Sequence, residues 1–240
     1  MKILAMDSSG LVASVAVLDD DTLLAEYTVN HKKTHSQTLL PMIDEIMRML
    51  GMDPAELDAV AVAGGPGSFT GLRIGSATAK GLGLALDRPL VAVPTADALA
   101  CNLCEVTDSL IVPMMDARRE QVYTGIYRFE GGRLQAVHEQ WPAAVTELAE
   151  ILNGTGEKAV LLGDGVPVYR DRLEELLQIP WREAPSHMNR QRAGAVGYLA
   201  MQYLAEGKIV TAAEHVPEYL RLSQAERERR ERERREQEQR

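Results

Sequence analysis

Residues 58–86 read DAVAVAGGPGSFTGLRIGSATAKGLGLAL, and this stretch decides the fold. Its first seven residues are a short apolar run with the length of a buried strand. The glycines at 64, 65 and 67 and Pro66 then break the run, and small residues from Leu72 to Leu86 suit a helix. Strand, glycine loop and helix make one crossover, the connection that parallel neighbours in a sheet require.

Upstream, residues 2–7, 11–18 and 22–29 read as three strands, with Asp19-Asp20-Asp21 as a polar turn between the last two. Leu39, Ile43, Ile46 and Leu50 recur at helical spacing, with Leu40 and Met47 beside them, and predict a helix over 36–50. Ser36 is its candidate N-cap, although Pro41 would remove a hydrogen bond from a helix begun there and draws the expected start toward Leu40. Downstream, 89–94 reads as a strand and 95–103 as a helix. The resulting order βββ-α-β-α-β-α implies an α/β fold, a mixed sheet with helices on its faces.

A second lobe is expected from residue 106 to 222, with strands at 110–115, 121–129 and 158–162 and helices at 143–152, 166–177 and 193–204. The first lobe spans 1–105. Residues 223–240, dense in Arg and Glu with favourable i,i+4 pairs such as Glu226 and Arg230, have no apolar stripe and are expected as an exposed helix or disorder.

Composition narrows the function classes. Aromatic residues make up 5% of a chain of 240, so the core must be built from Ala, Val, Leu, Ile and Met. The formal charge is −9, and an acidic body does not suit a protein that grips RNA by itself. Asp7 interrupts the first apolar run before a signal sequence could form, and Asp87, Arg88 and Asp97 break up residues 81–100. A cytoplasmic protein without a membrane span is expected. Cys101 and Cys104 lack two further zinc ligands nearby and read as reduced, packed thiols in preference to a metal or redox site.

Gly65, Gly67 and Gly71 stand between a strand and a helix, where backbone N–H groups can cradle an anion, but they match neither a Walker A loop nor a dinucleotide fingerprint. A tight structural turn and an anion site both remain open. Asp7, followed by Ser8 and Ser9 at a strand end, could position a metal-bound phosphate or simply start a turn. His31 and His35 flank two lysines, which would repel a divalent cation. Ser68 lies in GPGSFTG, outside the G-x-S-x-G pattern of an acyl-transfer nucleophile. Gly71, Gly75, Ala79 and Gly83 recur every four residues and leave a bare helical ridge, suited either to its own sheet or to a partner helix.

Residues 64–100, GGPGSFTGLRIGSATAKGLGLALDRPLVAVPTADALA, together with MKILAMDSS, THSQTLLPMIDEIM and DARREQVY, resemble the TsaB (YeaZ) family, and VPEYLR at 216–221 adds a fainter match. The resemblance covers most of residues 1–125. It implies an actin-like, RNase H-like (ASKHA) fold of two related lobes and a part in forming N6-threonylcarbamoyladenosine at position 37 of tRNAs that read ANN codons. It further implies a non-catalytic scaffold or activator subunit that pairs with a TsaD-like catalytic paralogue, joined by a TsaE-like ATPase. Under the same resemblance tRNA is met only within the complex, a homodimer can form without the partner, and ATP and metal belong to the partner subunits.

The catalytic paralogue carries a metal-holding histidine pair where this chain reads PTADALA, so no catalytic or metal residue is expected here. Asp7, Gly65, Gly67 and Ser68 are then vestigial candidates for a cofactor site. The family's two long helices suggest Leu39, Ile43, Ile46, Leu50, Gly71, Gly75, Ala79 and Gly83 as the partner interface. The competing expectation is a self-sufficient actin-fold ATPase or kinase holding Mg-ATP at Asp7 and the glycine loop.

Overall fold

The structure, a computed structural model, describes residues 1–31 and 34–220. The Arg/Glu tail at 223–240 lies outside the described residues. Two five-stranded sheets carry the same plan. The first has the order β3-β2-β1-β4-β5, built from β1 (Lys2–Asp7), β2 (Ala13–Asp19), β3 (Thr22–Val29), β4 (Ala59–Gly65) and β5 (Leu90–Pro94). The second has the order β10-β9-β6-β7-β8, from β6 (Leu110–Asp116), β7 (Gln121–Glu130), β8 (Arg133–Ala144), β9 (Ala159–Leu162) and β10 (Trp181–Glu183).

In each sheet two antiparallel hairpins precede two strands parallel to the first. This duplicated mixed topology gives two α/β lobes of one strand plan, as the resemblance implies.

Alternation along β1 separates the layers of the first lobe. Leu4 and Met6 face a core shared with α1 (His35–Leu50) and α2 (Phe69–Leu86), while Ile3 and Ala5 face α7 (Ala193–Ala205). In the second lobe Leu110, Val112 and Met114 pack under α4 (Val145–Thr155), with Val166 of α5 (Gly165–Val168) and Leu173 of α6 (Arg170–Leu176). Between the sheets lies α3 (Thr95–Cys101), whose Ala98 and Cys101 join the first lobe's core while Ala96, Leu99 and Ala100 join the second's.

Several elements differ from their sequence reading. Helix α1 begins at His35, with Thr34 as N-cap, and runs through Pro41, which sits on its exposed side. The missing N–H of Pro41 costs one bond, but five buried apolar residues at roughly 1.5–3 kcal/mol each outweigh it. Residues 143–144 end β8 instead of starting a helix, and 166–177 divides at Tyr169 into α5 and α6. The expected second lobe also does not keep its last helix. Helix α7 packs on β1, β2, β4 and β5 of the first sheet. No helix among the described residues is long and apolar enough to cross a membrane.

Candidate functional site

The glycine loop and the Asp7 turn are two halves of one close contact. The amide of Ser68 donates to Ser9 O at 2.6 Å, and Ser8 Oγ donates to Gly71 O at 2.9 Å. A Cβ at Gly67 would overlap Ser9 O, one at Gly71 would overlap Ser8 O, and one at Gly75 would lie 2.6 Å from Ser8 Oγ. Gly65, at φ +115°, is pressed in the same way against the carbonyl of Glu218, and the Gly65–Pro66 bond is cis. The glycines are therefore required by the approach of this chain's own backbone.

Asp7 is fully buried at the end of β1, with Oδ1 accepting from the amide of Ser9 at 2.8 Å and from its hydroxyl at 2.6 Å. Burial raises its pKa above the usual carboxylate range, and the two Ser9 bonds only partly oppose this. Its carboxylate orders the β1–β2 turn and does not line the cleft. Asp7 Oδ2 is buried and has no hydrogen-bond partner among the described residues. Ser68 Oγ accepts from Gly71 N at 3.3 Å, capping α2, and His35 Nε2 is held at 2.8 Å by Gly10 O. Among the described residues no three His, Cys, Asp or Glu side chains come together as a metal site.

A cleft of about 700 Å³ lies between the lobes, bounded by residues 9–11 and 66–70 on one side and 115–119 with Asp164 on the other. The β6–β7 turn holds Arg118, Arg119 and Glu120 at φ +61°, +57° and +56° in succession. Each left-handed residue costs roughly 1–2 kcal/mol, so surrounding contacts must impose the turn. Asp116 imposes part of it, with Oδ1 accepting from Arg118 N and from Tyr169 Oη at 2.8 Å each. The Asp116 amide in turn donates to Asp164 Oδ1 at 3.1 Å. Burial raises the pKa of Asp164, countered by that bond and by Arg190.

Gln191 also reaches the cleft, 2% exposed, with Nε2 lacking a partner among the described residues. The strap at 211–220 closes one edge. There Glu218 N donates to Gly64 O at 2.7 Å, Gln140 Nε2 of the second lobe donates to Glu218 Oε2 at 2.7 Å, and Tyr219 lies against Phe69. Sequence reading missed Arg118, Arg119, Asp164 and Gln191. Only the DARREQVY match pointed to this loop, since no glycine marks its left-handed backbone.

The expected interface residues mostly face inward. Leu39, Ile43, Ile46 and Ala79 are buried in the first lobe's own core, and Leu50 packs partly against it. Gly71 and Gly75 seat the Ser8–Ser9 turn, while a Cβ on Gly83 would meet Leu90 Cδ2 at 2.8 Å. The apolar stripe and bare ridge face inward because the sheet under them is the largest apolar surface within reach. The outer sides of the same helices carry Leu40 at 55% exposure, Met49 at 76% and Leu84 at 69%. Gly81, two residues before the ridge ends, faces open space.

Residues 22–229 match the family described as "TsaD: tRNA N6-adenosine threonylcarbamoyltransferase". The chain is 35% identical over 229 residues to the tRNA threonylcarbamoyladenosine biosynthesis protein TsaB of Bacillus subtilis (strain 168), covering 94% of this chain and 96% of that one. Its identity to TsaB of Escherichia coli (strain K12) is 30% over 243 residues, covering 92% and 95%. Among solved structures, YeaZ from Pseudomonas aeruginosa superposes with a TM-score of 0.78 at 28% identity, over 91% of this chain and 99% of that one. A 208-residue family match and near-complete alignment with two relatives at 30% identity or more place this chain in the TsaB (YeaZ) family.

Proposed function

We propose that this chain serves tRNA threonylcarbamoyladenosine biosynthesis as a non-catalytic subunit that docks a TsaD-like catalytic paralogue through the outer sides of α1 and α2. The single observation that carries the reading is that Leu40, Met49 and Leu84 stand exposed on two helices that share one face of the first sheet. A TsaD-like partner is the proposed occupant, because residues 22–229 match the TsaD family and two related chains that share a helix pair can pack about a pseudo-two-fold axis. Ala77 and Gly81 on the exposed side of α2 allow close helix approach.

The cleft supports the non-catalytic assignment. Asp7 is turned into the protein, Ser68 caps α2, and neither is poised as nucleophile or metal ligand. In this reading the TsaE-like ATPase supplies ATP chemistry, tRNA is met within the complex in the cytoplasm, and a homodimer uses the same surface when the partner is missing.

Co-purification with the TsaD-like protein of the same cell tests the assignment, comparing wild type with Leu84→Asp and Met49→Asp. Both positions are exposed, so stability should stay within about 0.5 kcal/mol while recovered complex falls at least tenfold, on the order of 1.4 kcal/mol. Undiminished complex with both variants would overturn it. Gly75→Leu and Ala79→Leu should instead unfold the lobe, because both positions are filled from within.

A further inference from the structure

We propose that Cys101 and Cys104 form a reversible dithiol–disulfide pair, a redox modification site on the helix that joins the two lobes. Helix α3 ends at Cys101, and the following turns fold back on it. Leu103 N donates to Ala100 O at 3.0 Å and Cys104 N donates to Cys101 O at 3.3 Å. These bonds bring the two Sγ atoms to 3.1 Å with both thiols free. A disulfide needs about 2.05 Å, so closure asks for movement on the order of 1 Å within one turn.

The two sulfurs are not equivalent. Cys101 is buried, whereas Cys104 is half-buried and is the one that a dissolved oxidant meets. The hydrogen bond between the two thiols lowers the Cys104 pKa, while that contact and burial raise the Cys101 pKa far above the thiol range. Cys104 is thus the attacking thiolate and Cys101 the resolving thiol.

With a hydroperoxide as oxidant, Cys104 sulfur attacks one oxygen and the O–O bond breaks. The products are a Cys104 sulfenic acid and hydroxide, or alkoxide, which takes up a proton. Cys101 sulfur then attacks Cys104 sulfur, the S–S bond forms, the S–O bond breaks, and the Cys101 proton leaves with the hydroxide as water. Two thiols are oxidised and one peroxide is reduced. A low-molecular-weight disulfide achieves the same net change by exchange, and excess dithiol reverses it. Only two residues separate the cysteines, so the closed loop adds little entropic stabilisation, as suits a reversible bond.

The location gives the bond a consequence. Asp97, one turn before Cys101 on the same helix face, accepts from Tyr127 Oη of the second lobe at 2.7 Å and from Tyr203 Oη of α7 at 3.1 Å. Thr95 Oγ1 accepts from Gly65 N at 3.1 Å, tying the start of α3 to the glycine loop. Asn102, between the cysteines, donates to Met188 O and Arg190 O at 3.1 and 2.7 Å. Oxidation therefore pins the end of the helix through which both lobes and the glycine loop are connected. The site lies on the α3–α7 side of the first sheet, opposite the proposed docking helices, and stays reachable in the complex.

The test equilibrates the full-length protein in glutathione buffers from fully reduced to fully oxidised, with acid quenching, alkylation and peptide mass mapping. The expected result is an intramolecular Cys101–Cys104 disulfide that dithiothreitol reverses and that slows amide exchange at least about tenfold over residues 99–104. Cys101→Ser should accumulate glutathione on Cys104, whereas Cys104→Ser should leave the buried Cys101 at least about tenfold less reactive. The proposal is overturned if wild-type protein with native circular dichroism keeps both thiols alkylatable in the most oxidising buffer. Separate glutathione adducts without the intramolecular bond would overturn it equally.

Discussion

The two lobes repeat one strand order and one loop device, yet they differ in what covers them. Gly65 at the end of β4 and Gly163 just after β9 sit at φ +115° and +113°, each pressed against a backbone carbonyl. In the first lobe, α1 and α2 run 16 and 18 residues and expose apolar side chains outward. In the second, the corresponding positions hold an 11-residue α4 and two short helices broken at Tyr169. The shared plan fixes the cleft, and the lobes diverge in helix length, the contrast on which the proposed docking surface rests.

The largest test of that contrast removes core from each lobe. Ile43→Ala under α1 and Leu148→Ala under α4 should each cost roughly 2–5 kcal/mol in urea unfolding, since both side chains are buried. A loss below about 1 kcal/mol at either site would show that its lobe can collapse around the cavity.

The paired glycines sharpen the comparison. Gly163→Ala should cost about 3 kcal/mol, combining left-handed strain with overlap on Met114 O inside β6. Gly65→Ala should cost about half of that, because the overlapped Glu218 carbonyl belongs to the strap at 211–220. Equal losses in thermal melts would show the strap to be as rigid as a strand.

Capping gives a smaller difference. Ser68→Ala removes the side-chain cap of α2 and should cost about 1 kcal/mol, whereas the N-cap of α4, Ala144, has no capping side chain of its own to lose. The smallest effect concerns pH. The raised pKa of buried Asp7 means its contribution is fully present below the unfolded carboxylate range and is lost as pH rises through the folded value. Asp7→Asn should therefore gain relative to wild type in melting temperature as pH rises from about 4, the unfolded carboxylate value, toward neutral, and a difference that stays constant over that rise would contradict the assignment.

Much of the first lobe was legible because apolar period and glycine breaks are local signals. The stripe Leu39, Ile43 and Ile46 and the crossover at 58–86 were read as elements correctly. What covers the stripe was not legible, since an apolar face looks the same whether its own sheet or another chain buries it. The same ambiguity affected Gly71 and Gly75, whose neighbours Ser8 and Ser9 lie more than 60 positions away in sequence. The turn at Arg118–Arg119–Glu120 was hidden for a different reason. Its left-handed backbone is imposed by Asp116 and Tyr169, and nothing in three charged residues announces it.

By itself the sequence determined the strand and helix alphabet, the mixed sheet of the first lobe and the family, because periodicity, turn chemistry and motif are written in neighbouring residues. Tertiary structure alone decided that α7 returns to the first sheet, that Asp7 faces inward and that Leu40, Met49 and Leu84 are left outside. Those outcomes depend on which apolar surfaces meet across long chain separations, and burial is a property of the assembled layers that no local pattern encodes.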